Sequence, residues 1–321
     1  METMKPVNTR ALGHSDIQVV PLMLGGNVFG WTADEATSFA VLDAFVAGGG
    51  SVIDTADVYS AWIPGNRGGE SETVIGAWLR HRGRRDDVVI TTKVGMLPIG
   101  EGKGLQPAHI ATAVEASLQR LGTDYIDLYL AHQDDDTQDQ GAVAEAFGAL
   151  VRAGKVRVIG ASNFSAQRLD SAMAAQTTRG LARYQALQNE YNLLERTGYE
   201  GAVQDYCVAH SIGMTPFFGL ACGYLTGKYR TPADVTGARA YRVGKYVEGH
   251  GPQVLAALDT VAAAHGASLA QVALAWIAAQ PGIAAPIASA TSVAQVEDLL
   301  GSIHLALTAE DLALLDQASR V

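Results

Sequence analysis

The chain has 321 residues, 48% hydrophobic and 17% charged, which is enough apolar material for one large core. Its formal net charge of -10 and pI of about 5.2 argue against nucleic acid or an anionic membrane as the main partner. The two cysteines, Cys207 and Cys222, lack metal-ligand spacing and fit thiols in a reducing cytosol, and METMKPVNTR at the start holds no apolar run of a signal peptide.

In chain order, TRALGHSDIQVV (residues 9–20) predicts a hairpin that would close the bottom of a barrel. Eight apolar, β-rich runs follow: PLMLGG, SVIDTA, VVITTKV, YIDLYLAH, VRVIGASN, YQALQNEY, MTPFFGLA and IAAPIASA. Segments of helical period separate them, at 33–47, 73–80, 107–121, 142–152, 166–175, 202–210 and 254–278. Gly48, Gly83 and Gly122 supply stop signals for the first three. Two more helices are predicted at 293–300 and 309–320, and 229–251 reads as a long loop. The stretch between Asp259 and Glu297 carries no Asp, Glu, Lys or Arg, but its longest apolar run, 272–279, is too short to span a bilayer.

Strands that are apolar throughout, each followed by a helix, indicate parallel strands buried on both faces. Eight such units with no linker or composition shift predict a single domain over 1–321. The fold class is α/β, a (β/α)8 TIM barrel with an N-terminal hairpin and extra C-terminal helices. Such a barrel carries its chemistry at the C-terminal strand ends, and the polar residues fall there. Asp54, Asp57 and Tyr59 end the second run, Lys93 the third, His132 the fourth, Ser162 and Asn163 the fifth, and Gln188, Asn189 and Glu190 close the sixth.

Taken singly these are ordinary residues: a strand cap, a half-buried aromatic, a surface lysine, a core histidine. Gathered at one mouth, Asp54, Tyr59, Lys93 and His132 suit proton transfer to a carbonyl oxygen. An ammonium beside a phenol stabilises the phenolate and lowers its pKa. Asp54 would hold Lys93 in place and His132 would orient the carbonyl.

The motifs IDTADVY, TTKVG, YLAH, GASNF and LQNEYN, with LACGYLTGKY after them, resemble the successive signatures of the aldo-keto reductase family, in order and at suitable spacing from about 24 to 300. The resemblance implies an NAD(P)-linked oxidoreductase interconverting carbonyl and alcohol, with Asp54, Tyr59, Lys93 and His132 as catalytic tetrad and Tyr59 as general acid or base. It implies a nicotinamide cofactor across the mouth, bordered by Gly26, Asn27 and Val28, with its carboxamide held by Ser162, Asn163 and Gln188. Phe217 would stack on the ring within the run Phe217, Phe218, Gly219 and Leu220, while Gly223 and Lys228 would approach the pyrophosphate.

At the adenosine phosphate, where many members carry Arg or Lys, PIASATS offers Ser289 and Thr291, with Gln295 and Arg168 near the expected phosphates. NADP(H) is expected ahead of NAD(H), though a phosphate monoester normally attracts a cation. Two alternatives remain: an NAD-dependent dehydrogenase of a sugar-like or bulky secondary alcohol, and a cofactor-binding regulatory subunit with little turnover.

Trp31, Trp62, Tyr241 and Tyr246 are candidates for the substrate wall, with Trp62 equally able to pack on its own loop. The cleft is expected to be open and suited to bulky substrates. HQDDDTQD lacks the Gly and terminal Glu of a calcium loop, so no metal site is expected, and GYLTGK departs from a phosphate-binding loop in spacing and in Tyr229. The expected partner is a small carbonyl or alcohol and the expected location cytoplasmic.

Overall fold

The computed structural model describes residues 9–98, 102–237 and 240–320. Strands β1 (Arg10–Ala11) and β2 (Gln18–Val19) pair antiparallel, forming the hairpin predicted at the N-terminus. Eight parallel strands follow: β3 (Met23–Gly25), β4 (Val52–Asp54), β5 (Val89–Val94), β6 (Ile126–Ala131), β7 (Val156–Ser162), β8 (Ala186–Gln188), β9 (Gly213–Met214) and β10 (Ile287–Ala288). Each pairs with the next from β3 to β9, and β10 pairs with β3.

The last seam closes through backbone bonds. Met214 N–H donates to Gly282 O at 2.9 Å, Ala284 N–H to Met214 O at 2.8 Å, and Ile287 N–H to Pro216 O at 2.9 Å. The sheet is therefore a ring, the (β/α)8 architecture that the alternation predicts.

The seventh and eighth strands are shorter than their apolar runs. Pro216 and Pro286 have no N–H to give a ladder, and the chain turns sharply beyond Pro216, with positive φ at Phe218, Ala221 and Cys222.

Helices α1 (Glu35–Ala47), α2 (Glu70–Arg82), α3 (Pro107–Leu121), α4 (Gln140–Arg152), α5 (Ala166–Thr178) and α6 (Ala202–Ala209) follow the first six barrel strands. Beyond them come α7 (Ala240–Glu248), α8 (Gly251–His265), α9 (Leu269–Ala278), α10 (Val293–Gly301) and α11 (Ala309–Ser319). Two departures from the sequence reading stand out. The segment 254–278 is not one helix: Gly266 ends α8 in a left-handed conformation, Ser268 and Gln271 form a capping box on α9, and the two axes meet at 96°. Inside the expected 229–251 loop, α7 forms because Val243, Tyr246 and Val247 share one buried face. No single helix among the described residues is long and apolar enough to cross a membrane.

Strand parity divides the core in two. Met23, Val52, Leu128, Leu130, Val158 and Ala186 point inward and pack with Leu12, Ile17 and Val19 of the hairpin, which plugs the barrel floor. Leu24, Ile53, Ile90, Tyr129, Ile159 and Leu187 point outward and pack against the helices. The same period of two sets the mouth. Asp54 lies two residues beyond Val52, His132 two beyond Leu130, and Gln188 two beyond Ala186; Ser162, two beyond Gly160, is level with Gln188. A register that buries the floor residues thus delivers those four polar side chains inside the ring, at its C-terminal end.

Candidate active site

Lys93 is fully buried under the mouth and makes three contacts there. Its Nζ donates to Asp54 Oδ2 at 2.8 Å, to Thr55 O at 2.7 Å and to Tyr59 Oη at 3.2 Å. Gln188 Nε2 donates to the other Asp54 oxygen at 2.9 Å, so β4, β5 and β8 converge on one carboxylate. Tyr59 comes from the loop after β4 and is half-buried. Its ring lies 5.9 Å from His132 and 4.8 Å from the Lys93 ammonium, centroid to centroid or atom. The four residues of the proposed tetrad therefore sit together.

Environment fixes the proton states. Burial pushes the Tyr59 phenol up, and although Lys93 pulls it down, the net direction is upward. The lowering expected from an adjacent ammonium operates here but is outweighed by desolvation, so the phenol carries its proton at neutral pH. Burial acts to lower the Lys93 pKa, yet Asp54 and Tyr59 more than offset it and the ammonium persists. His132 is driven well below the usual imidazole value, first by burial and then by Lys93, so it stays neutral. Its Nδ1 is buried without a partner. A neutral ring carrying its hydrogen on Nε2 can donate from that side.

Outside this group opens a cleft of about 920 Å³. Asn27, Val28, Ser162, Asn163, Gln188, Phe217, Phe218, Gly219, Leu220, Gly223, Lys228, Ser289, Thr291 and Gln295 all line it, as do Trp31, Trp62 and Tyr241. Gly26 does not. It lies just behind, its N–H donating to Asp54 O at 2.7 Å, and a Cβ there would come within 2.9 Å of Ser71 Oγ.

Tyr246 is not part of the substrate wall as expected. Its hydroxyl donates to Glu195 and its ring packs on Tyr224, so it anchors α7 from below. Arg168 is also placed elsewhere than a phosphate site: Asp134 takes its guanidinium in two bonds, at 2.6 and 3.0 Å. In the same acidic loop, Asp135 accepts from Leu105 and Thr137.

The cleft suits an elongated dinucleotide. Asn163, Phe218 and Cys222, three of the five non-glycine residues with positive φ among those described, line it, and such strain concentrates where a chain is shaped around a ligand. Lys228, the one cation among the described lining residues, faces Gly223, which has no side chain to stand between them and whose φ of +92° strains any other residue. The N-terminus of α10, capped by Ser292, adds a site favourable to phosphate beside Thr291 and Gln295.

The sequence reading names Asp57 at the end of the second run without giving it a role, and does not single out Glu72 or Arg120. Glu72 is fully buried on the helix side of the sheet and accepts from Thr92 Oγ1 at 2.5 Å and Arg120 Nε at 2.6 Å. Asp57 is equally buried, but neither of its oxygens has a partner. Burial, then Glu72, raises its pKa well above the ordinary carboxyl value. Its place between two catalytic candidates was the available signal. Met96 and Thr32 also line the cleft, on loops whose direction no sequence period reports, and Asp298 joins them from α10.

A ring of eight parallel strands with a buried Lys–Asp pair, a phenol and a neutral imidazole under a long cleft defines a class: barrel oxidoreductases working through a bound dinucleotide. The sequence matches the aldo/keto reductase family over residues 21–320. It is 31% identical to Protein tas of Escherichia coli strain K12, over 96% of both chains. It is 34% identical to the uncharacterized oxidoreductase YrpG of Bacillus subtilis strain 168, over 95% of this chain and 94% of that one. With norsolorinic acid reductase B of Aspergillus parasiticus it shares 31% identity, over 95% of this chain and 82% of the relative. The chain belongs to the aldo/keto reductase family and is an NAD(P)-dependent oxidoreductase.

Proposed function

We propose that the protein reduces an aldehyde or ketone to the alcohol, with Tyr59 as the proton donor, and runs the reverse reaction with the same residues. The observation that carries this is the Tyr59–Lys93–Asp54 chain of contacts, with Oη at 3.2 Å from an ammonium that is itself held at 2.8 Å by a carboxylate. A nicotinamide held in the cleft would supply hydride chemistry toward a carbonyl carbon. Tyr59 gives its proton to the carbonyl oxygen, and Lys93 stabilises the phenolate left behind. His132 donates a hydrogen bond from Nε2 to the same oxygen and fixes its direction. Asp54 and Gln188 keep Lys93 aimed at Tyr59. Similarity to a relative named as a reductase of norsolorinic acid supports the reductive direction.

Asn163 and Ser162 would hold the carboxamide; Asn163 Nδ2 already donates to His132 O at 2.9 Å and couples the two subsites. Phe217 would cover the ring, and Lys228 with Gly223 would take the pyrophosphate. NADP(H) is the preferred cofactor, by a few-fold only. The α10 N-terminus offers backbone N–H groups in place of a cation, and a helix end is worth about 0.3–1 kcal/mol at an exposed site.

The test joins fluorescence titration with turnover. NADPH and NADH are both expected to bind, NADPH tighter by less than about tenfold. Tyr59→Phe should keep that binding and lose about 10²–10⁴ in kcat on a carbonyl substrate. Wild-type turnover in the Phe variant, or failure to bind either dinucleotide, overturns the reading.

A further inference from the structure

Large apolar side chains on a protein surface are unremarkable when scattered and informative when gathered. Among the described residues six are exposed: Trp62, Met96, Val208, Tyr241, Val293 and Leu314. Trp62 (46% exposed), Met96 (44%) and Tyr241 (84%) all line the one cleft. They come from three separate segments, the loops after β4 and β5 and the first turn of α7, so no local sequence accident groups them.

The aromatic surface begins at the reacting group itself. The Trp62 ring lies 5.7 Å from Tyr59 and 5.7 Å from Trp31, at interplanar angles of 67° and 84°. Two tryptophans at right angles form a corner: a flat ligand can stack on one ring while its edge meets the other.

The corner is rigid. Glu70 accepts three backbone N–H groups of the 60–69 loop, from Ser60 at 3.1 Å, Arg67 at 2.7 Å and Gly68 at 3.0 Å. Asn66 Nδ2 ties the loop to Gly30 O and Ser60 O, both at 3.3 Å. The backbone that carries Trp62 is thus held in place, with the indole 46% exposed.

Charge narrows the choice further. Of the two carboxylates on the lining, Asp54 is paired with Lys93 and Asp298 accepts from Gln271. The single described cation there, Lys228, belongs to the cofactor end. Among the described lining residues, no other Lys or Arg is present to neutralise a phosphate or carboxylate on a substrate.

We propose that the outer cleft selects a neutral, flat, apolar carbonyl compound, an aryl or fused-ring ketone or the matching alcohol, through the Trp31–Trp62 corner with Met96 and Tyr241 on the same cleft. This rests on the reductase reading and adds a substrate class to it.

The experiment uses the protein loaded with reduced cofactor and three probes: 2-acetylnaphthalene, its carboxylate analogue 6-acetyl-2-naphthoate, and propanal. Quenching of tryptophan fluorescence reports binding without turnover, and steady-state kinetics report kcat and KM. The neutral naphthyl ketone is expected to bind at least tenfold tighter than the carboxylate and to have the highest kcat/KM of the three. Trp62→Ala should raise its KM at least tenfold and cut its kcat/KM far more than that for propanal, while Trp62→Phe should restore the KM to within threefold. Propanal turnover with no advantage for the naphthyl ketone, or an advantage that survives Trp62→Ala, overturns the substrate class and leaves the reductase reading intact. Saturable naphthyl binding lost in Trp62→Ala, with no carbonyl turned over, keeps the binding class and sinks the reductase reading instead.

Discussion

Asp54 and Asp57 stand three residues apart on one segment, both buried, and they live opposite lives. Asp54 ends a strand pointing into the ring, where Lys93 and Gln188 each deliver a donor to one oxygen. Asp57 has been carried past the strand end to the helix side, where it meets Glu72, whose own oxygens are taken by Thr92 and Arg120. A charged carboxylate is tolerable in the first place because its charge is matched; in the second the cheaper form is the neutral acid. The difference teaches that burial alone decides nothing about a carboxyl group. The donors brought by neighbouring elements decide it.

Breaking the matched side should cost most. Lys93→Met leaves Asp54 buried with its charge uncompensated, and urea unfolding should show a loss of about 3–5 kcal/mol, accompanied by collapse of turnover. A loss under about 1 kcal/mol would mean that water already screens the pair.

The next effect sharpens the unmatched side. Because the folded-state pKa of Asp57 is raised above the ordinary value of about 3.9, the folded chain holds a proton that the unfolded chain has released. Its contribution to stability is full below about pH 4 and is lost as pH rises through the folded value. Asp57→Asn should therefore melt close to wild type at pH 4 and become progressively more stable than wild type toward pH 8. The opposite trend, with the variant losing ground as pH rises, would show Asp57 to be an ionised group with a partner.

Smallest of the three is Thr92→Val, which removes one bond to Glu72 and should cost about 1–2 kcal/mol by chemical denaturation. A neutral result would mean that Asp57, as the protonated acid, donates to Glu72 in its place.

Much of this molecule was legible in the sequence. Eight apolar runs with polar ends announced the ring, and the strand ends placed Asp54, Lys93, His132 and Gln188 at its mouth; that they point inward follows from the parity seen in the folded sheet. What escaped notice depended on partners far away in the chain. Glu72 lies on α2 and Arg120 on α3, so no window around Asp57 shows the pocket that holds it neutral. The upward direction of Tyr59 is of the same kind, since desolvation is a property of the folded surroundings. The break at Gly266 and Ser268 carries its own signal, a glycine and a capping box, but the apolar period continues on both sides of it and reads as one helix. Tyr246 and Tyr241 look alike as aromatics of one segment. Only the helical turn of α7, which buries one and exposes the other, separates an anchor from a lining residue.

The collar that Glu70 makes around the 60–69 loop has a consequence for how such an enzyme changes its diet. The loop's shape is written in backbone groups converging on one carboxylate and one asparagine, not in the side chains it displays. Positions 61–63 are therefore close to interchangeable parts, mounted on a frame that survives their replacement. Descent, or a library randomised at those three codons, could retool the mouth one side chain at a time while the chemistry beneath it stays untouched.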